Sequence, residues 1–212
     1  MATLVWLRAG ELAIESLDLP KFDRDAFQAI LPGLKKLSAF KRPASFLPRL
    51  VEACRSVGVA VATTRTPEGC RASGASWFNS NGNPVILLSF RYMAEDHFWF
   101  TFFHEAGHVV LHGEPHIDGD GRPVMGSDTE KQEYEANKFA QDLLFPEELR
   151  EMLISHGYRT QAVRDIARAA NVTPGIIVGQ LEKAGVVRQG ALNHLRHRYK
   201  WGDNPHIPEL AG

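Results

Sequence analysis

His104 and His108 stand four residues apart, with Glu105 directly after the first. On a helix this spacing puts both imidazoles on one face, about one turn apart, where both can reach one metal ion. Glu105 then lies beside that ion, able to take a proton from a metal-bound water. The H-E-x-x-H arrangement is the one zinc hydrolases use, with the glutamate as general base. Ordinary amphipathic helices also contain these letters by chance, so context has to decide. An aromatic run (Phe98, Trp99, Phe100, Phe102, Phe103) leads into the motif, so the helix must be largely buried. Buried histidines and a buried glutamate need partners, and a metal supplies them.

A catalytic zinc keeps three protein ligands and an open position. Downstream candidates for the third are His112, His116, Glu133 and Glu135. His112 lies two turns past His104 on the same helix, too far along to close on an ion held by the first pair. It reads as a residue behind the site or on the surface. The helix beginning near Glu130 offers a carboxylate. Glu133, Asn137, Ala140 and Leu144 recur at helical spacing and define one face. Small Ala136 and Ala140 allow close approach to the histidine helix, and Asn137 can hydrogen-bond a liganding histidine from behind. At about 100° per residue, Glu135 falls about 160° from Asn137 and reads as solvated. Glu133 is therefore preferred over Glu135. His116, Tyr134 and Arg91 are unranked candidates for an oxyanion-stabilising donor.

The elements that must position these residues can be read in order. Met1 to Leu19 suggests a short helix with Leu4, Leu7, Leu12 and Ile14 inward, then a linker. Asp23 can cap a helix over residues 24–36, kinked at Pro32. A helix over 44–56 turns Phe46, Leu50, Val51 and Cys54 inward, and Gly58 stops it. Strands are expected at 59–64, 71–78 and 85–90, the last two joined by Asn79 to Pro84, which is strong turn chemistry. They suggest a small, mainly antiparallel sheet leading into the histidine helix. Asp96 can cap that helix and Gly113 can end it. The strand at 85–90 is a possible edge for an extended substrate.

Glu114 to Gln132 reads as a loop. Its Asp118-Gly119-Asp120-Gly121 lacks the ligand spacing of a calcium loop and reads as solvated. Helices follow to Phe145 and over 147–155. Residues 160–170 and 174–184 form a helix, turn, helix outline, with Thr160 and Thr173 as caps and Pro174 at the first helical position. Lys183 is the one cation on the second of these helices, which is poor chemistry for reading bases. A supporting bundle is the preferred reading. The segment His194 to Trp201 is basic and reads as a short solvated helix.

The run F-T-F-F-H-E-A-G-H-V-V-L-H-G, followed by E-Y-E-A-N-K-F-A-Q-D-L-L-F-P, resembles the ImmA/IrrE family of zinc metallopeptidases over about Phe46 to Val187. The resemblance implies His104, His108 and Glu133 as metal ligands and Glu105 as catalytic base. It also implies a gluzincin-like core and cleavage of a helix-turn-helix (Xre-type) repressor, controlling stress-response, toxin-antitoxin or mobile-element genes. Met1 to Phe40 resembles the junction found where such a domain is fused behind an Xre-type DNA-binding unit, as in HigA-like regulators.

The expected fold class is thus α+β. It comprises an N-terminal helical linker segment (1–42), a metallopeptidase core with a small antiparallel sheet packed on the H-E-x-x-H helix (43–156), and a C-terminal helical, helix-turn-helix-like subdomain and tail (157–212). The expected cofactor is Zn2+, with Mn2+ also suited to two histidines and a carboxylate. The expected partner is a protein substrate. The alternative is a metal-containing sensor or antitoxin-type regulator that binds a partner without cutting it.

Bulk properties exclude other classes. The net charge of −1 gives no global case for nucleic acid or an anionic membrane. No apolar run is long enough for a membrane span. Two cysteines, Cys54 and Cys70, are too few for a disulfide framework and fit the cytoplasm. A Cys70 thiolate capping the metal is the lesser alternative to an ordinary packing role.

Overall fold

In a computed structural model, residues 1–118 and 127–211 are described. Pro84–Leu88 is apolar throughout and forms strand β3, buried at every position. It lies inside a four-stranded sheet. Ala60–Thr63 (β1) runs parallel to it on one side, and Gly74–Phe78 (β2) runs antiparallel on the other. His116–Asp118 (β4) pairs antiparallel with β2, giving the order β1-β3-β2-β4.

The sheet is therefore mixed, where the sequence suggested an antiparallel one. The turn at Asn79 to Asn83 forces β2 and β3 to run antiparallel. Strand β1 arrives from a helix and takes the far side of β3, which makes that pair parallel. Strand β3 is consequently internal, and its edge is not open to a substrate.

The sheet is covered on both faces, which is why β3 lacks alternation. Ala60, Ala62, Val85 and Leu87 point to one cluster with Trp6 and Ile14, while Val61, Ile86 and Leu88 join the main core. Helix α1 (Ala2–Ile14) lies on the first face. Its buried positions are Trp6, Gly10 and Ile14, whereas Leu4 and Leu12 are exposed, so its inner face differs from the expected one. Gly10 is needed there: a Cβ would sit 2.5 Å from Leu87 Cδ2.

On the opposite face packs α4 (Glu95–Leu111), which carries the histidine motif, with α2 (Arg24–Leu34) and α3 (Pro43–Arg55). Helix α2 runs through Pro32 and passes into a 3-10 turn at Lys35–Ala39. Asp23 caps it, accepting from the Ala26 N–H. Helix α4 is buried almost all round, and Ala94, not Asp96, is its N-cap residue. Two close approaches fix it in place. A Cβ on Gly74 of β2 would meet Thr101 and Glu105 side-chain atoms at 2.6–2.8 Å, and one on Gly107 would meet the Ala136 Cα at 3.3 Å.

Ala136 belongs to α5 (Asp128–Leu144), which the Ser127 hydroxyl caps by accepting from the Glu130 N–H. Helices α6 (Glu147–His156), α7 (Thr160–Ala170) and α8 (Pro174–Lys183) follow. Helices α7 and α8 are joined through Asn171, which takes the left-handed conformation at φ 58°. Helix α8 packs on α4. The tail ends in a two-stranded ribbon, Tyr199–Lys200 (β5) with Glu209–Leu210 (β6). One hydrophobic cluster takes in Phe27, Phe46, Phe103, Val163, Ile177 and Tyr199. The architecture is mixed α+β. No helix among the described residues is long and apolar enough to cross a membrane.

The Gly119 to Arg122 stretch of the acidic Asp-Gly motif lies outside the described residues. The flanking segment is more ordered than a loop reading allows, since β4 and the first turns of α5 both fall within Glu114 to Gln132.

Candidate metal centre

Helical spacing puts His104 and His108 on the side of α4 that faces α5, and their Nε2 atoms lie 3.2 Å apart. Gly107, Ala136 and Ala140 have no bulk to hold the two helices apart, so α5 brings Glu133 to the pair. Glu133 Oε1 is 3.3 Å from His108 Nε2, and Oε2 is 3.8 Å from His104 Nε2. A third imidazole arrives from the sheet. His116 on β4 is the register partner of Ser76 on β2, and Ser76 is the partner of Ile86, so all three face α4. Its Nε2 pairs with Glu133 Oε1, its Nδ1 is 3.2 Å from Glu105 Oε2, and its ring stacks on His108 at 3.7 Å. One donor atom from each of His104, His108, His116 and Glu133 lies within 4.8 Å of the other three.

Glu105 is fully buried between α4 and β2, where Ser76 Oγ donates to Oε2 at 2.8 Å. Its placement follows from the one-residue offset from His104, which turns it off the α5 side and onto the sheet.

The electrostatics leave two of the imidazoles as neutral donors. Burial drives the His104 pKa down to about 3, and His108 adds to the effect, while Glu133 and the neighbouring Asn137 oppose it. Burial likewise lowers His108. Both rings are therefore neutral near pH 7 and have lone pairs to give. Burial works to lower His116 as well, but hydrogen bonds to Glu105 and Glu133 outweigh it and push it up to about 10. Burial would raise Glu133, yet its bonds to His108 and His116 hold it well below the usual carboxylate range. Two neutral imidazoles and a carboxylate converge with a third imidazole, whose proton Glu105 and Glu133 favour and a metal would displace, and this donor set suits a divalent metal.

Residues 55–182 match the Peptidase_M78 family model, the IrrE N-terminal-like domain. The chain belongs to this peptidase family. Among curated proteins, none matches it.

The M78 match runs from the end of α3 to α8, so it includes every member of the cluster. Around the site, two sequence readings change. Glu135 is half-exposed yet engaged: its Oε2 is 2.9 Å from His112 Nε2, and His112 Nδ1 is 3.3 Å from His108 Nδ1. A relay from Glu135 through His112 thus backs His108 from behind. The angular argument placed Glu135 relative to Asn137 but not relative to the end of α4, which α5 crosses one turn beyond the cluster. His112 takes the supporting position expected of it.

His116 was among the candidates, but its strand was read as loop, so its place in the cluster was not foreseeable. A three-residue strand is too short to show alternation. Of the other oxyanion candidates, Arg91 binds the Arg71 carbonyl and stacks on Tyr92, and Tyr134 is exposed on α5. Cys70 packs beside the Trp6 cluster, and both cysteines are free thiols.

The C-terminal part also differs from expectation. Thr173 is the N-cap residue of α8, as expected, with Pro174 at the first turn, but its hydroxyl donates to Glu95 Oε2 at 2.8 Å and makes no capping bond. Arg159, not Thr160, is the N-cap residue of α7. The basic segment 194–201 is a short turn and a strand, not a helix, and part of its charge is taken up internally, while Arg198 and Lys200 are exposed. Arg196 pairs with Asp96 and Glu182, and His197 pairs with Glu95.

Proposed function

We propose that this M78 peptidase is a zinc-dependent, gluzincin-like endopeptidase whose substrate is a helix-turn-helix repressor of the Xre type. In this reading its action relieves repression of stress-response, toxin-antitoxin or mobile-element genes. The observation that carries the reading is the convergence of His104, His108 and Glu133 beside a fully buried Glu105. Mn2+ would suit the same donors.

His104, His108 and Glu133 would hold the metal. When bound, it would polarise the scissile carbonyl and acidify the attacking water. Glu105, held by Ser76, takes the proton of that water and passes it to the leaving amine. The Glu135–His112 relay steadies His108 in the tautomer that presents Nε2.

A second reading, a metal-containing sensor that binds a partner without cutting it, is favoured by one observation: His116 adds a fourth donor, as in closed structural sites. Incubating the zinc-loaded protein with a purified Xre-type repressor separates the two. Shortening of the repressor, lost on adding a chelator, supports the peptidase. A stable complex with an intact repressor supports the sensor.

A further inference from the structure

His116 differs from the other three members of the cluster in how it is held. His104 and His108 are nearly inaccessible on a helix buried all round, and Glu133 is on a 17-residue helix packed against it. His116 is on the outermost strand, three residues long and paired with β2 on one side only. The next residue, Ile117, has an exposed side chain. Moving β4 would disturb three register pairs and no part of the main core.

His116 also holds two things at once. Its Nε2 is on Glu133 inside the donor cluster, and its Nδ1 is on Glu105, the carboxylate assigned as base. Four protein donors close a tetrahedral site, whereas hydrolysis needs one position open to water and carbonyl. Withdrawal of this one side chain would open the metal and release Glu105 together.

We propose that His116 is a fourth, displaceable metal ligand that latches the site shut until β4 gives way. The inference rests on the metallopeptidase reading above. It makes the wild-type protein slow toward small metal-binding probes and explains how a buried base avoids indiscriminate hydrolysis.

The test compares wild type, His116→Ala and His116→Gln loaded with zinc or cobalt, all checked for folding by circular dichroism. X-ray absorption at the zinc edge should count three imidazoles in wild type, and two plus an added oxygen in both variants. Acetohydroxamate, which needs an open position, should bind the cobalt variants at least tenfold more tightly than wild type, read from the visible spectrum. Free imidazole should return the His116→Ala spectrum toward that of wild type. An unchanged imidazole count, or equal hydroxamate affinity in all three proteins, overturns the latch. If wild type holds one equivalent of metal in that case, the peptidase reading survives. Failure of folded wild type to take up any metal overturns both.

Discussion

The two ends of α4 pose the same physical problem and solve it differently. At its N-terminus Glu95 and Asp96 are buried, and at its C-terminal half His104, Glu105 and His108 are buried. The first pair is compensated from within the chain. Glu95 accepts from the His197 N–H at 2.9 Å, from its ring at 2.8 Å and from Thr173 at 2.8 Å, while Arg196 bridges Asp96 and Glu182. Carboxylates at the first turn also suit the helix dipole. The C-terminal group is compensated differently. Its imidazole nitrogens face each other and a carboxylate, an arrangement that could hold a metal ion. Buried charge on its own therefore does not mark a functional site. What marks it is donors converging on a shared point.

The largest expected effect falls at the C-terminal end of α4. Glu105→Gln should lower the cleavage rate by about 10²–10⁴-fold, the usual contribution of a general base, with metal content unchanged by mass spectrometry. Retention of cleavage would remove Glu105 from its role. Next, Glu133→Ala should abolish binding of one metal equivalent, while Glu135→Ala should weaken it by about 10–100-fold, as loss of an outer partner does. Equal losses would erase the distinction between ligand and relay. Zinc at about 100 times its Kd should add about 2.7 kcal/mol to wild-type stability, seen as a higher Tm, and nothing to His108→Ala.

At the N-terminal end the effects should appear in stability and leave the metal alone. Arg196→Ala strands two buried carboxylates and should cost about 3–5 kcal/mol by urea denaturation, with metal stoichiometry of the folded protein intact. Gly175→Ala is smaller, about 1–3 kcal/mol, because its Cβ would be built 2.0 Å from Glu95 Oε1 on a helix that cannot easily shift. Loss of metal in either variant would show that the two ends are not independent. The smallest effect is chemical. Burial pushes the Cys54 thiol well up, so iodoacetamide should label Cys70 and spare Cys54 until the protein unfolds.

What the sequence determined by itself is local and periodic. Four-residue spacing fixed which side of α4 carries His104 and His108, and the same period on α5 put Glu133, Asn137, Ala140 and Leu144 on one face, of which Ala140 and Leu144 are buried and Asn137 is exposed. Asn-Gly turn chemistry joined β2 to β3. These follow from backbone geometry repeated along one element, so one chain read in order suffices. Tertiary structure alone decided the rest. His116 enters the cluster through a cross-strand register with Ser76, and Glu135 meets His112 because of where two helices cross. Arg196 and His197 look like surface charges until the tail folds back on Glu95 and Asp96. Each of these contacts joins residues far apart in the chain, and their relative position is set by packing, which no local pattern encodes.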